Sequence, residues 1–256
     1  MLNFVAELAR RAGALLRDGL GSTHAVELKS AFEVVTDVDR ASEALIVEAL
    51  AERFPDHTII SEEGGGAERG SEFRWLIDPL DGTNNYAHGF PFFAVSIGLL
   101  RGDQLALGVV YDPLRDELFA AERGRGATCN GRPLRVSGTA SLAASLVSTG
   151  FPYTYSAGGE NNLREFDMLQ ARTQGVRRAG AAALDLAYVA MGRLDAHWEL
   201  RLSPWDAAAG ALLVLEAGGR VTDWRGGPWN PWSEHLIASN GQIHGELVEL
   251  LRGSRQ

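Results

Sequence analysis

The sequence predicts an α/β (α+β) fold: an N-terminal lobe built around a large antiparallel sheet, then a C-terminal α/β lobe. Three observations carry this. Apolar residues recur at helical spacing in the opening segment and a second, capped helical segment stops before Pro55, strand-like runs joined by tight turns fill Phe93 to Arg135, and past residue 140 short strands alternate with helical stretches. Residues 1–140 and 141–256 are the expected lobes. No internal repeat, low-complexity tract or flexible linker separates them, so they are expected to pack as one unit.

Val5, Leu8, Ala9, Ala12, Leu15 and Leu16 form one face of an opening helix, which Gly19 and Gly21 end. Thr36 or Asp37 caps a second helix, "DRASEALIVEALAERF", with Pro55 just beyond it. Two short apolar runs follow, "HTII" before Ser61-Glu62-Glu63 and "FRWLI" before Asp78, and in both an acid stands where a strand finishes. Next come the strands "FAVSIGLL", "LALGVVYD" and "ELFAAE", with turns at Arg101-Gly102-Asp103 and Asn130-Gly131. The second lobe reads as a helix in "ENNLREFDMLQART", a strand in "GVRRAG", a helix in "AALDLAYVAMG" and a strand in "LDAHWEL". A helix from Trp205 to Ala217, strands in "GRVTDW" and "HLIASN", and a closing helix "IHGELVELLR" complete it.

At 256 residues and 45% hydrophobic content the chain has material for a substantial core. Its formal charge of −9 is scattered and no basic patch is present, so direct nucleic-acid binding is not expected. A single cysteine, Cys129, excludes an intrachain disulfide and a cysteine-rich zinc site, fits a cytoplasmic location, and reads as a small buried hydrophobe. The opening helix carries acids and arginines within its apolar pattern, unlike a signal peptide, and no run is long enough to span a membrane. His88 and His197 lack ligand-spaced partners and read as structural hydrogen bonders; Trp224, Trp229 and Trp232 read as packing or dimer contacts.

The acids carry the chemistry. Glu62 and Glu63 follow one strand, Asp78 and Asp81 follow another, and Asp206 opens a helix far along the chain. Taken singly, each fits a loop, a turn or a helix cap. Brought together, such carboxylates repel by several kcal/mol unless cations intervene. An oxygen-only donor set favours Mg²⁺, with Mn²⁺ or Ca²⁺ behind it. Pro79 fixes the chain between Asp78 and Asp81, so that both carboxylates and the Leu80 carbonyl are able to face one ion pair. Gly82-Thr83-Asn84-Asn85 then reads as a helix start, whose free N–H groups suit a phosphate.

Two longer motifs, "WLIDPLDGTNNYAH" and "WDAAAGALLVLEAGG", together with "SEEGG" at Ser61 to Gly65, resemble the signatures of the inositol monophosphatase family, in family order and across nearly the whole chain. The resemblance implies a layered α-β-α-β-α sandwich and a Mg²⁺-dependent, Li⁺-sensitive phosphomonoesterase. It implies Glu62, Asp78 and the Leu80 carbonyl as ligands of a first metal and Asp78, Asp81 and Asp206 as ligands of a second, with a third, weaker ion sharing Glu62. Mn²⁺ is a possible substitute. Thr83 and Asp39 resemble the pair that orients and deprotonates the attacking water, Gly82 and Thr83 N–H groups the phosphate cradle, and Glu63 a support of the water network. For the alcohol part of the substrate the resemblance implies Glu199, the loop Gly180, Ala181 and Ala182, and Asp81. Lys29 resembles a mobile-loop lysine. Arg177 and Arg178 are candidates for a second phosphate, although a solvated or dimer-contact face suits them better.

The expected reaction is hydrolysis of a small polyol phosphate monoester, inositol-1-phosphate first, by direct attack of an activated water; a covalent route through Asp78 ranks below it. Fructose 1,6-bisphosphate and histidinol phosphate are rival substrates on the same scaffold, and a nucleotide bisphosphate fits less well. A homodimer is the family expectation. A different class also stands open: a regulatory protein-binding partner of RNA machinery with incidental phosphatase activity.

Overall fold

The computed structural model describes residues 1–21, 26–28, 34–152 and 161–254. The first half runs α1 (Leu2–Gly19), β1 (Val26–Leu28), β2 (Val34–Thr36), α2 (Asp37–Arg53), β3 (Thr58–Ser61), β4 (Phe73–Asp81), α3 (Thr83–Ala87), β5 (Ala94–Arg101), β6 (Gln104–Asp112), β7 (Glu117–Glu122), β8 (Ala127–Cys129) and β9 (Arg132–Pro133). After a 3₁₀ turn at Leu142–Ala144 come β10 (Leu146–Thr149), α4 (Leu163–Gln170), β11 (Gly175–Arg177), α5 (Ala182–Met191), β12 (Ala196–Leu200), α6 (Pro204–Glu216), β13 (Arg220–Thr222), β14 (His235–Ser239) and α7 (His244–Gly253).

Strands β3 to β9 form one sheet in sequence order, antiparallel throughout except for β3, which lies parallel to β4 at the edge. The second sheet has the order β11-β10-β12-β14-β13, with β10 parallel to both β11 and β12. Helices α1 and α2 cover one face of the large sheet, where Val5, Leu8, Ile46 and Leu50 meet Trp75, Ile77, Ile97 and Val109. Helices α5 and α6 cover its other face, with Leu184, Leu186, Leu212 and Leu213 packed among Leu76, Val110, Phe119 and, from the second sheet, Leu236 and Ala238. Leu169 of α4 and Leu247 and Leu251 of α7 close the far side against Trp198 and Ile237. The layers are therefore helix, sheet, helix, sheet, helix, as the resemblance implied. Successive residues of β4 point into both cores, which is why its apolar run does not alternate.

The sequence reading placed most of these elements closely but named no strand at β1, β2, β8, β9 or β10. The paired strands β1 and β2 and the strand β10 are three or four residues long. β10, "LVST", lies inside the second sheet between β11 and β12, where burial replaces any alternation and Ser148 and Thr149 are hidden. Helix α4 is shorter than "ENNLREFDMLQART" suggests, ending at Gln170.

Candidate active site

The site is assembled at strand ends. β3 and β4 are parallel, with Ser61 opposite Ile77, so the next residues, Glu62 and Asp78, emerge side by side; the Glu62 N–H donates to the Ile77 carbonyl at 3.1 Å. Pro79 cannot donate to the ladder with β5, and the register shifts between Asp78 and Asp81. This bulge brings both aspartates to the same cavity. Asp78 Oδ1 accepts the Leu80 N–H at 3.0 Å. Asp81 reaches across to the second half of the chain and accepts the Ala182 and Ala183 N–H groups, at 3.1 and 2.7 Å, at the start of α5. Asp206 stands in the first turn of α6, where it accepts the Ser203 N–H at 2.8 Å. Asp206 thus belongs to the cap of α6 and also lines the cavity.

Helix α2 holds the acid-bearing loops through a buried polar stripe at 39, 42 and 43. Thr36 caps the helix, with its N–H donating to Asp39 Oδ2 at 2.9 Å, while Asp39 Oδ1 accepts the Thr83 hydroxyl at 2.9 Å. The Ser42 hydroxyl donates to the Pro79 carbonyl at 2.9 Å, and Glu43 accepts the Gly65 N–H at 3.2 Å. Gly82, at φ +94°, is required on two counts: a Cβ there is strained in the left-handed region and would lie 3.1 to 3.2 Å from the Phe92 and Gly180 carbonyls and the Ala181 side chain.

These pieces border a cavity of about 460 Å³. It is lined by Glu62, Asp78, Leu80, Asp81, Gly82 and Thr83 from the first half and by Gly180, Ala181, Ala182, Glu199 and Asp206 from the second. It also lies at the carboxyl ends of the parallel strands β10 and β12, the position where open parallel sheets bind ligands. Of the remaining sequence candidates, Asp39 is buried behind Thr83, and Arg178 lines the cavity. Glu63 and Arg177 do not line it: Glu63 acts on Arg40, and Arg177 is exposed. Lys29 lies outside the described residues. Ala182 differs from expectation in detail, because its N–H is taken by Asp81.

Sequence reasoning missed Asp185 and Gly150, which line the cavity, and the buried contact of Ser148 with His197. Asp185 lines the cavity from α5. Its signal was available: it is the one charged residue in "AALDLAYVAM", a helix otherwise apolar all round. His197 does form structural hydrogen bonding, with Ser148, as expected of it. Trp224 is buried in the outer core, while Trp232 is exposed beneath the Arg74 guanidinium.

Electrostatics set the character of the cavity. Its described wall carries six carboxylates, Glu62, Asp78, Asp81, Asp185, Glu199 and Asp206, against the guanidinium groups of Arg178 and Arg201. Burial, reinforced by Glu62 and the neighbouring aspartates, pushes Asp78 and Asp206 well above the usual carboxylate range. Burial also pushes Asp81 up to about 8 and Asp185 to about 7, and raises Asp39. Among the described residues no three such side chains form a ready-made ion cage. The acids line an open wall and act on one another through charge, so water and substrate oxygens would complete any ion's shell. An all-oxygen donor set with uncompensated negative charge fits hard divalent cations.

Comparison with known proteins shows the family and the fold. The pattern of the inositol monophosphatase family matches residues 1–256. The chain is 49% identical to a Nus factor SuhB of Pseudomonas aeruginosa, over 98% of this chain and 96% of that protein. It is 46% identical to an inositol-1-monophosphatase of Synechocystis sp., over 100% of this chain and 90% of that protein. The solved inositol monophosphatase of Anabaena (Nostoc) sp. PCC 7120 superposes with a TM-score of 0.90 at 45% identity, covering 98% of this chain and 95% of that one. The chain belongs to the inositol monophosphatase family, a generally metal-dependent family, and is a phosphoric monoester hydrolase.

Proposed function

We propose that the chain hydrolyses the phosphate monoester of a small polyol, inositol-1-phosphate first, to the free polyol and phosphate. The observation that carries this reading is the wall of carboxylates converging beside the hydrogen-bonded pair Thr83 and Asp39. Glu62, Asp78, the Leu80 carbonyl, Asp81 and Asp206 would hold two or three Mg²⁺ ions, with Mn²⁺ able to substitute and Li⁺ to inhibit. Such cations, when bound, neutralise phosphoryl charge and acidify water. The residues do the rest. Gly82 and Thr83 N–H groups face the phosphate at a left-handed turn that lets the backbone approach. Thr83 Oγ1 takes the proton of the attacking water as its own hydrogen passes to Asp39, whose buried carboxyl holds a proton more readily than an exposed one. Glu63 has its place one shell out, in the water network. Glu199 accepts hydroxyl hydrogens of the alcohol, and the Gly180–Ala181 backbone packs against it.

Phosphate release from inositol-1-phosphate, fructose 1,6-bisphosphate and histidinol phosphate, with Mg²⁺ and with or without Li⁺, tests this. Preference for the first, lost with Li⁺, is expected; turnover confined to either of the others overturns the substrate assignment. We read the two halves, 1–140 and 141–256, as lobes of one cytoplasmic, homodimeric unit with the site at their seam.

The names of several relatives favour a second reading. Proteins called Nus factor SuhB are 49% and 42% identical to this chain, which supports a protein-binding role with RNA machinery. Asp81→Asn separates the two. Mg²⁺ affinity by calorimetry and turnover fall together by at least roughly tenfold if the site is catalytic, while a binding role survives the change.

A further inference from the structure

Behind Glu199 a chain of buried polar groups runs through the second sheet and meets the cavity at its two ends, Glu199 and Asp185. β10 and β12 are parallel neighbours with Ser148 opposite His197. The His197 ring is fully buried. Its Nδ1 lies 2.9 Å from Ser148 Oγ and its Nε2 lies 3.2 Å from Glu199 Oε2. Asp185, on α5, stands 3.9 Å from Nδ1 and draws a hydrogen bond from Ser148.

Counting hydrogens gives the directions when Asp185 is ionised. It then only accepts, the single hydrogen of Ser148 goes to it, and His197 Nδ1 donates to Ser148 Oγ. Nε2 faces a second carboxylate, Glu199, without the alignment of a regular hydrogen bond, and that carboxylate favours a hydrogen on Nε2. The contact is held by charge. Burial, the largest influence on His197, works against a charged ring, yet Glu199 and Asp185 outweigh it and raise the pKa.

On the opposite side Gly150 presses against the same carboxylate. A Cβ there would lie 1.8 Å from Glu199 Oε1 and 2.2 Å from its Cδ. Only glycine, at the end of β10, leaves the carboxylate where it is.

We propose that His197 is a positioning residue which, with Gly150, fixes the direction in which Glu199 presents its carboxylate and thereby the affinity for a hydroxyl-bearing alcohol. This rests on the reading that Glu199 meets the alcohol. His197→Phe and Gly150→Ala are compared with Glu199→Gln on inositol-1-phosphate and on p-nitrophenyl phosphate, whose alcohol carries no further hydroxyl. In both variants KM for inositol-1-phosphate rises about tenfold, and KM for p-nitrophenyl phosphate rises much less. A purely structural role lowers kcat on both esters alike and leaves the ratio of KM values unmoved, and that result overturns the proposal.

Should His197→Phe not fold, Gly150→Ala carries the kinetic test, and ¹⁵N NMR of the unaltered imidazole carries the geometric one. Two protonated ring nitrogens, with Nε2 shifted by Glu199→Gln, are expected. An unprotonated Nε2, or one indifferent to that change, overturns the proposal. An unchanged KM in Glu199→Gln instead removes the substrate role of Glu199, and the NMR result still decides whether His197 holds it.

Discussion

Thr83 Oγ1 has two acceptors within reach, Asp39 Oδ1 at 2.9 Å and the Leu80 carbonyl at 3.0 Å, and one hydrogen to give. When Asp39 receives it, both lone pairs of the hydroxyl are open to a water. Thr83→Ala removes that relay and leaves the carboxylates in place. Its kcat falls by roughly 10²- to 10⁴-fold, while Thr83→Ser restores most of it; equal kcat for the alanine and threonine enzymes would show that Thr83 has no part in proton transfer. At this scale the sequence was legible where neighbours are local. Asp78 and Asp81, three residues apart around Pro79, announced a shared target. The contact between Asp39 and Thr83 joins residues 44 positions apart, and family resemblance rather than spacing pointed to it.

Among the elements, α6 shows how composition becomes placement. "WDAAAGALLVLE" presents small residues to the large sheet, and β5 and β6 answer with glycines. A Cβ at Gly108 would lie 2.7 Å from the Ala209 carbonyl oxygen and 2.9 Å from its Cα, both backbone atoms with little room to yield. The close approach carries the amino end of α6, and Asp206 with it, up to the ends of β3 and β4. Gly108→Ala therefore destabilises by about 1–3 kcal/mol, seen as a lower urea midpoint with an unchanged m-value. Mg²⁺ affinity drops as well, because the helix start moves away from Asp78. A wild-type midpoint would mean that helix and sheet adjust freely. Helix α1 was readable from its periodicity and α2 from its cap and Pro55, whereas β10 was not, since four mostly buried residues carry no period.

The whole molecule gathers like charges and leaves them buried. Asp81 and Asp185, with folded values of about 8 and about 7, return toward 3.8 when the chain unfolds. Between those limits the folded state holds protons that the unfolded state has released, so stability without cations is fully present below the unfolded value and falls as pH rises through the folded ones. The melting temperature in chelator therefore decreases from mildly acidic to mildly alkaline pH, and Mg²⁺ removes the decline. A flat profile in chelator would mean that these carboxylates are not crowded. The sequence by itself determined most helices and strands and the two acid-bearing strand ends, because apolar period and turn chemistry are local properties of the chain, and its motifs carried the resemblance that implied the family and the layers. Only the tertiary structure decided that Asp185, Ser148, His197 and Gly150 surround Glu199. That arrangement depends on the parallel register of β10 with β12 and on the packing of α5, and a strand's neighbour is chosen by the burial of the whole core.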